Sequence, residues 1–415
     1  MEEYAKWYPS MKETHTILIP DMAPIHFGFL TKILKSLGYK VEVLKNTGID
    51  VINKGLKYVH NDTCYPALLV IGQFIDALDK NNYDLNKIAL IMTQTGGGCR
   101  ASNYISLIRK ALVKAGYSQV PVVSLNMSGL ENGLKITIPF IRRVLAGIAY
   151  GDLLMLLKNQ TEPYEIKKGA SDELVQKWTD SLNNDFDHKK GYSMKDLQKN
   201  LKLIADDFAK VPVNRVPKVK VGIVGEIYVK YSALANNNLE KFLLSQDCEV
   251  NVPGILNFAL YCVDTRIDDI NLYGGSKIKK KVMTVLENYL IKVEKAILDA
   301  VRCHKEFTCP SEFMHTKYLR QGIIGEGNKM GEGWLLTAEM IELTETGYEN
   351  IVCAQPFGCL PNHICGKGMV RKIREKYPNA NIVPIDYDPG ATKVNQENRI
   401  KLMLSVAKEK LEQNS

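Results

Sequence analysis

Short apolar runs alternate with amphipathic segments along most of the chain. In the first 160 residues, strand-like runs of five or six residues are separated by segments whose apolar positions recur at helical spacing. The pattern predicts strands Thr16–Pro20, Lys40–Leu44, Ile88–Met92 and Val120–Leu125, and helices Ile25–Leu37, Ala67–Leu78, Asn103–Lys114 and Ile136–Leu157. Strands that alternate with helices in this order predict a parallel sheet with helical crossovers.

The same order of elements returns after residue 218. The pattern predicts strands Val219–Val224, Glu249–Val252 and Asn381–Ile385, and helices Asn237–Ser245, Leu335–Glu345, Gly366–Lys376 and Asn398–Leu411. A further strand-like run begins at Asn350 and leads into the turn at Gly358. A helical segment, Ile278–Cys303, has no counterpart in the first half. The sequence therefore predicts an α/β fold with two Rossmann-like parallel-sheet domains that arose by internal duplication.

Between the two halves the composition becomes charged and helical. Strand patterns are absent from residues 162–210, where two helices are predicted over Ser171–Asn184 and Ser193–Lys210. Two prolines in Val211–Pro217 mark a boundary. We expect a first α/β domain at residues 1–160, a helical connector at 161–217, and a second α/β domain with a helical insertion at 218–415.

Composition narrows the class of protein. A chain of 415 residues with 45% hydrophobic and 24% charged residues is typical of a globular protein with two or three domains. The net charge of +8 is dispersed, and the densest basic cluster, Lys277–Lys281, is expected to be a solvated helix face, so nucleic-acid binding is not expected. Met1–Lys6 has no apolar signal region, and Ile136–Leu157 carries charges that disfavour a membrane span. We expect a cytoplasmic protein with no membrane partner.

The nine cysteines carry the most chemical information. In a reducing compartment, an odd number of cysteines favours metal or redox chemistry over a disulfide set. Cys99 follows a strand and three glycines, and Cys359 follows a strand and the turn at Gly358. Cys64 precedes a predicted helix for which Asn61, Asp62 or Thr63 would be the cap. Helix N-termini attract anions and lower thiol pKa values, so thiolates are expected at all three cysteines.

The other cysteines allow alternatives. Cys353 is either a core residue in its strand or a further ligand, and Cys262 is either core or an equivalent of Cys64 in the second half. Cys303, His304 and Cys309 form either a surface loop or a ligand cluster. Cys248 and Cys365 are expected to be structural. His363, four residues after Cys359, is either a proton donor near the site or a packing residue.

The glycine loops offer a different class of function. Thr95–Gly98 and Gly325–Gly327 could bind phosphate, but neither matches the dinucleotide or nucleoside-triphosphate loop patterns. Paired zinc motifs are also missing from the sequence. Three thiolates on facing domains suit an iron–sulfur cluster, whose usual ligands are cysteines.

Three stretches resemble the 2-hydroxyacyl-CoA dehydratase superfamily: Asn61–Gln73, Thr93–Ala101 and Gln355–His363. The similarity is strongest to the C-terminal module of fused activase-related proteins, and it covers most of residues 15–405. The resemblance implies two Rossmann-like domains and a [4Fe-4S] cluster held by two cysteines of the first domain and one of the second. Cys64, Cys99 and Cys359 match that arrangement, and Cys353 is a further candidate ligand. Double-cubane relatives hold an [8Fe-9S] cluster with six cysteines, which is the alternative cofactor.

The resemblance also implies a mechanism and partners. A separate ATP-hydrolysing iron–sulfur activator would deliver low-potential electrons for radical dehydration or reduction at an open iron, so the chain would be a dehydratase-like lyase or a component of a small-molecule reductase. It would be oxygen-sensitive and would pair with a related second subunit or form a homodimer. The alternative is a non-catalytic electron-relay subunit that carries the cluster. No catalytic residue can be assigned from the matched motifs.

Overall fold

The structure is a computed structural model that describes residues 4–60, 62–94, 98–125 and 137–413. Four parallel strands form the first sheet in the order β2-β1-β3-β4: β1 Thr16–Ile19, β2 Lys40–Val43, β3 Ile88–Thr93 and β4 Val122–Leu125. The register places Ile17 opposite Val41 on one side and Ala89 on the other. Five helices accompany this sheet: α1 Pro24–Ser36, α2 Ile49–Tyr58, α3 Tyr65–Lys80, α4 Tyr104–Ala115 and α5 Ile138–Thr161.

The second sheet repeats this topology. Its four parallel strands have the order β6-β5-β7-β8: β5 Val219–Gly225, β6 Cys248–Asn251, β7 Asn350–Pro356 and β8 Asn381–Tyr387. The helices around it are α8 Ile227–Tyr231, α9 Leu239–Ser245, α10 Ile255–Tyr273, α11 Lys277–Arg302, α12 Phe313–Leu319, α13 Trp334–Glu345, α14 Leu360–Cys365, α15 Val370–Lys376 and α16 Lys393–Gln413. Two parallel sheets of identical order confirm the predicted α/β fold with two Rossmann-like domains.

The central strands formed as predicted because both of their faces are covered. In β5 and β7 nearly every residue is buried, as the continuous apolar runs at these positions indicated. Parallel strands need helical crossovers that cover the two faces of the sheet, so their side chains are apolar without alternation. The apolar runs of the sequence therefore identified the strands in both halves.

Two helices of the connecting region lie against the first domain. They are α6, Ala170–Asp187, and α7, Met194–Ala209. Both pack on α5, α6 also packs on α1, and α7 also packs on α11 of the second domain. Glu165 and Val213 form an isolated antiparallel bridge that joins the two ends of this region. The predicted limits at residues 160 and 217 stay a prediction.

The long helix α5 joins the two halves through a shared core. It packs on α1 in the first domain and on β6, α10 and α11 in the second. Leu153, Leu154 and Leu157 of α5 are fully buried in one apolar cluster with Leu260 and Trp334 of the second domain. The apolar surface of α5 is therefore covered by both domains together, and this shared packing fixes the position of one domain relative to the other.

Several local predictions differ from the structure. Helices α2, α8 and α12 were not predicted, and α8 and α12 are only five and seven residues long. The predicted helix Gly366–Lys376 is confirmed over α15, but it starts later than predicted. The helix α14 was not predicted; it begins directly after Cys359, where Pro361 favours a helix start. Asn61, Thr95–Gly97 and Ile136 lie outside the described residues.

The charged cluster Lys277–Lys281 is at the start of α11 and is mostly exposed, as predicted. Within the ranges that the structure describes, no helix is both long enough and apolar enough to span a membrane.

Candidate functional site

The strand order locates the candidate site. In each sheet, the chain runs from one central strand to one edge strand and from the other central strand to the opposite edge strand. Open parallel sheets bind ligands at the place where the strand order reverses in this way, beyond the carboxyl ends of the two central strands. Cys99 follows β3, and Cys359 follows β7. Each of these strands is central in its sheet, so both cysteines lie where parallel sheets usually bind ligands.

Cys64 and Cys359 come together where the two domains meet. The backbone N–H of Tyr65 donates to the carbonyl of Phe357 at 3.0 Å. Gly358 has a φ of +73°, and a methyl group at this position would lie 3.2 Å from Cα of Cys64. The turn before Cys359 therefore contacts the main chain at Cys64, which is the first link between the two halves of the site.

Cys99 lies beside the glycine-rich loop of the second domain. A methyl group at the preceding residue, Gly98, would lie 2.3 Å from Sδ of Met330, so the two chain segments are in close contact. The Cys99 thiol is half-buried, and it is near enough to the thiols of Cys64 and Cys359 to interact with them electrostatically. The structure thus brings all three predicted cysteines together between the domains.

Tyr104 contacts the Cys64 thiol. Its hydroxyl lies 3.4 Å from Sγ of Cys64, and the two side chains are buried together with Ala67. Tyr104 is the first residue of α4, directly after the short 3₁₀ segment Arg100–Asn103 that follows Cys99. The same segment of the chain therefore positions one cysteine and provides a hydrogen-bonding group to another.

Two glutamates, half-buried Glu226 and buried Glu332, lie close to the cysteines, and the sequence reasoning did not select them. Oε2 of Glu226 accepts the N–H of Val229 at 2.9 Å, and Oε1 of Glu332 accepts the N–H of Ile227 at 3.0 Å. Burial and then the neighbouring Glu332 carboxylate raise the pKa of Glu226 to about 8. A glutamate directly after a central strand, at the carboxyl edge of the sheet, was the sequence signal that could have identified Glu226.

The expected lowering of the thiol pKa values is wrong. Burial raises the pKa of Cys64, Cys99 and Cys359, and the nearby Glu226 carboxylate raises all three further. Removing a thiol from water disfavours the thiolate, and a negative neighbour adds to the effect. Here these two contributions outweigh the helix N-termini, so the cysteines without a bound cation are thiols.

The helix caps also differ from expectation. The cap of α3 is Cys64 itself, and its side chain makes no capping hydrogen bond, whereas Asp62 and Thr63 were the predicted caps. Pro66 occupies the first turn, as expected. The start of α3 thus relies on the proline and on the contact with the second domain.

The remaining cysteines are dispersed. Cys353 is fully buried within β7, where its Sγ is 3.9 Å from Nε2 of Gln355, and its role as a ligand stays a prediction. Cys262 is exposed on α10, which contradicts the core alternative for this residue. Cys248 and Cys365 are buried, which fits structural roles.

Cys303, His304 and Cys309 each have a different hydrogen-bond partner. Sγ of Cys303 donates to the carbonyl of Asp299, and His304 Nε2 lies 2.9 Å from Oδ1 of Asp206. Cys309 is half-buried and donates to the carbonyl of Leu298. These partners favour the surface-loop interpretation.

His363 lies on α14, half-buried, with its backbone N–H donating to the Cys359 carbonyl at 3.1 Å.

The cysteines and glutamates of the cleft are the possible ligands of a metal centre. In the described ranges, no group of three or more His, Cys, Asp or Glu side chains could hold a single metal ion. An iron–sulfur cluster has a different requirement, because its cysteine ligands bind separate irons. The cleft contains three thiols without disulfide partners and two carboxyl groups, and this donor set fits such a cluster. The positive charge of the irons would stabilise the thiolates, which burial and the carboxylates otherwise disfavour.

Alanine at Gly358 is expected to destabilise the protein by about 1 kcal/mol more than alanine at Gly322. Both glycines have left-handed φ angles, +73° at Gly358 and +76° at Gly322. A methyl group added at Gly358 would lie within 4 Å of Cys64 and Thr63, whereas one added at Gly322 would meet no atom within 4 Å. Backbone strain is therefore matched, and the difference reports the contact between the domains. Unfolding in urea would measure it, and equal losses in the two variants would contradict the contact.

Comparison with models of known protein families found no match, and a search among curated proteins found no relative of this chain.

Proposed function

We propose that this chain is an iron–sulfur protein of the 2-hydroxyacyl-CoA dehydratase type. In this proposal it holds a [4Fe-4S] cluster and receives low-potential electrons from an ATP-hydrolysing activator, for radical dehydration or reduction of a substrate. The observation that supports the proposal is the meeting of Cys64, Cys99 and Cys359, from both domains, beyond the carboxyl ends of β3 and β7. These are the residues that the motif resemblance selects.

The electrostatics of the cleft support a bound cationic group. Glu332 is buried and Glu226 half-buried beside the thiols, and loss of hydration raises the pKa values of both carboxyl groups. Buried Lys230 interacts electrostatically with both carboxyl groups, but it lies 3.4 Å from Glu339, with which it is paired. A site built from acidic groups and thiols is stabilised when metal cations replace the protons.

The residues of the chain would then have distinct tasks. Cys64, Cys99 and Cys359 would hold the cluster, and Tyr104 would hydrogen-bond to the Cys64 sulfur. When bound, a cluster with three cysteine ligands supplies one-electron chemistry at low potential and one iron without a cysteine ligand. Glu226 would hold a proton on its carboxyl group beside this site, because burial favours the neutral acid.

Iron and sulfide analysis after anaerobic purification tests the proposal. We expect about four irons and about four sulfides per wild-type chain, or about eight irons for a double cubane. Cys64→Ala, Cys99→Ala and Cys359→Ala should each lose more than about half of the iron, because a thiolate ligand is missing. Cys353→Ala decides whether that buried cysteine is a fourth ligand.

Cys303→Ala is the matched control, since Cys303 is exposed and its thiol donates to the Asp299 carbonyl in the helix that it ends. It should keep the wild-type iron content. Wild-type protein without iron and sulfide, or variants at positions 64, 99 and 359 with unchanged iron, would contradict the proposal. Circular dichroism of each variant would separate loss of ligand from loss of fold.

The relay alternative predicts a different response to substrate. If the chain is itself catalytic, adding an acyl-CoA or a small reducible compound should change the electron paramagnetic resonance spectrum of the reduced protein. A relay subunit would show an unchanged spectrum with every such compound, although its iron content would be the same.

A further inference from the structure

A second cavity lies between the domains, away from the cysteines. Its volume is about 360 Å³, which falls in the range of small-molecule sites. The first turn of α1 and the last turns of α5 form one wall, and α9 with the segment before it forms the other. Tyr231, the last residue of α8, also lines this interdomain cavity, whereas Glu226 at the opposite end of α8 faces the cysteines.

One wall presents a buried histidine with an unused nitrogen. Nε2 of His26 lies 2.8 Å from Oδ1 of Asp152, and because a carboxylate only accepts, Nε2 is the donor. A methyl group at Gly151 would lie 2.3 Å from Cδ2 of His26, so this edge of the ring faces α5 and Nδ1 faces away from it. His26 is 6% exposed, and its Nδ1 has no hydrogen-bond partner. In the neutral ring this nitrogen is an acceptor that lacks a donor.

The facing wall presents a carboxylate. Oε2 of Glu240 accepts from Nδ2 of Asn159 at 3.1 Å, and its Oε1 makes no hydrogen bond to any residue of the described ranges. Burial raises the pKa of Glu240, and His26 is close enough to interact with it electrostatically. A histidine nitrogen and a carboxylate oxygen thus lack donors in the same cavity.

The charges of the lining favour a cation. Lys158 is already paired with Asp172 at 2.7 Å and with Glu162 at 3.6 Å. Lys241 is exposed at the rim. Three carboxylates, including Glu240, therefore face two ammonium groups, and Lys158 is shared among all three carboxylates. The rest of the lining includes apolar side chains, among them Met155, Leu239 and Leu244.

We infer that the interdomain cavity binds a small organic ammonium compound. Its N–H groups would donate to Nδ1 of His26 and to the carboxylate of Glu240, and its short aliphatic chain would pack on the apolar lining. A donor-rich cation satisfies both acceptors at once, whereas an anion would meet an uncompensated carboxylate. Because both domains contribute to the cavity, the bound compound would stabilise their arrangement.

Calorimetric titration with n-butylamine tests the inference, with butyrate and 1-butanol as charge controls. We expect wild-type protein to bind n-butylamine at one site, with a raised thermal midpoint, and to bind butyrate and 1-butanol at least about tenfold more weakly. Glu240→Gln should weaken n-butylamine binding about tenfold, because a charged hydrogen bond becomes neutral. Leu244→Trp should abolish binding by filling the cavity.

Glu409→Gln, on the exposed face of α16, is the matched control and should bind n-butylamine as the wild type does. No binding of n-butylamine by the wild type at about 10 mM would overturn the inference, as would tighter binding of butyrate or equal affinity in Glu240→Gln. Iron content, measured in the same samples, should not change in Glu240→Gln, so this test is independent of the proposed cluster.

Discussion

Alanine in place of Gly72 is expected to destabilise the protein by about 3 kcal/mol, although alanine usually stabilises a helix interior. Gly72 lies within α3, and a methyl group there would lie 2.1 Å from the carbonyl oxygen of Val51 in α2. Gly55 of α2 makes the reciprocal approach, 2.4 Å from the Leu68 carbonyl oxygen. The two helices therefore touch through their backbones, and neither backbone can move aside as a side chain would. Thermal unfolding of the iron-free protein should show a midpoint about 3 °C lower.

Gly28→Ala provides the matched control. Gly28 also lies inside a helix, α1, but the nearest atom to its missing methyl group is Cγ2 of Thr179, at an ordinary 3.8 Å. This variant should be stabilised by about 0.5–1 kcal/mol, because alanine restricts the unfolded chain. The packing of α2 on α3 also orients Cys64 at the start of α3, so Gly72→Ala should lower iron content as well. A Gly72→Ala protein as stable as the wild type would show that the helices are not in backbone contact.

Raising the pH from about 5 to about 8 is expected to destabilise the iron-free protein through two buried carboxyl groups. Glu294 accepts the N–H of Phe313 at 2.6 Å, and Glu342 accepts the N–H of Ser311 at 2.9 Å. Both line a cavity of about 60 Å³ beside Asp152. Burial raises the pKa of each glutamate from 4.5 to about 7.

The sign follows from which state holds the protons. Between pH 4.5 and about 7 the unfolded chain has released the protons of Glu294 and Glu342, whereas the folded chain still holds them. Stability therefore falls as the pH rises through this window and levels off above it. One unit of pKa corresponds to about 1.4 kcal/mol, so ionisation of each group lowers the free energy of unfolding by on the order of 3 kcal/mol across this window.

The double variant Glu294→Gln, Glu342→Gln isolates this effect. Glutamine keeps an oxygen that accepts the same backbone N–H groups but has no proton to lose. Urea unfolding at several pH values should give the double variant a flatter decline between pH 5 and 8, by about 3 kcal/mol for each group. Glu409→Gln, exposed on α16, should keep the wild-type dependence. A double variant with the full wild-type decline would show that these carboxyl groups ionise normally in the folded state.

Much of the fold could be predicted because buried parallel strands are recognisable in sequence. Runs such as Ile88–Met92 and Val219–Val224 are apolar without alternation, which is what a strand covered on both faces requires. Short or polar helices could not be predicted in the same way. Helix α2 buries only Val51 and Gly55, and its role depends on backbone contact with α3.

The candidate site was predicted in its residue types and only partly in its properties. Cys64, Cys99 and Cys359 were selected from their positions beside strands and helix starts, and the structure brings them together. The direction of their pKa shifts was wrong, because Glu226 and the burial of the cleft come from the second domain and from tertiary packing.

By itself, the sequence determined the α/β class, the repeated order of strands and helices along the chain, and the three candidate cysteines, because each depends on neighbouring residues in the chain. The tertiary structure alone decided that Gly358 lies against Cys64, that Glu226 and Glu332 enter the cleft, and that a second cavity forms between α5 and α9. These features join residues that are far apart in the chain, and their energies depend on distance and burial, which local patterns do not encode.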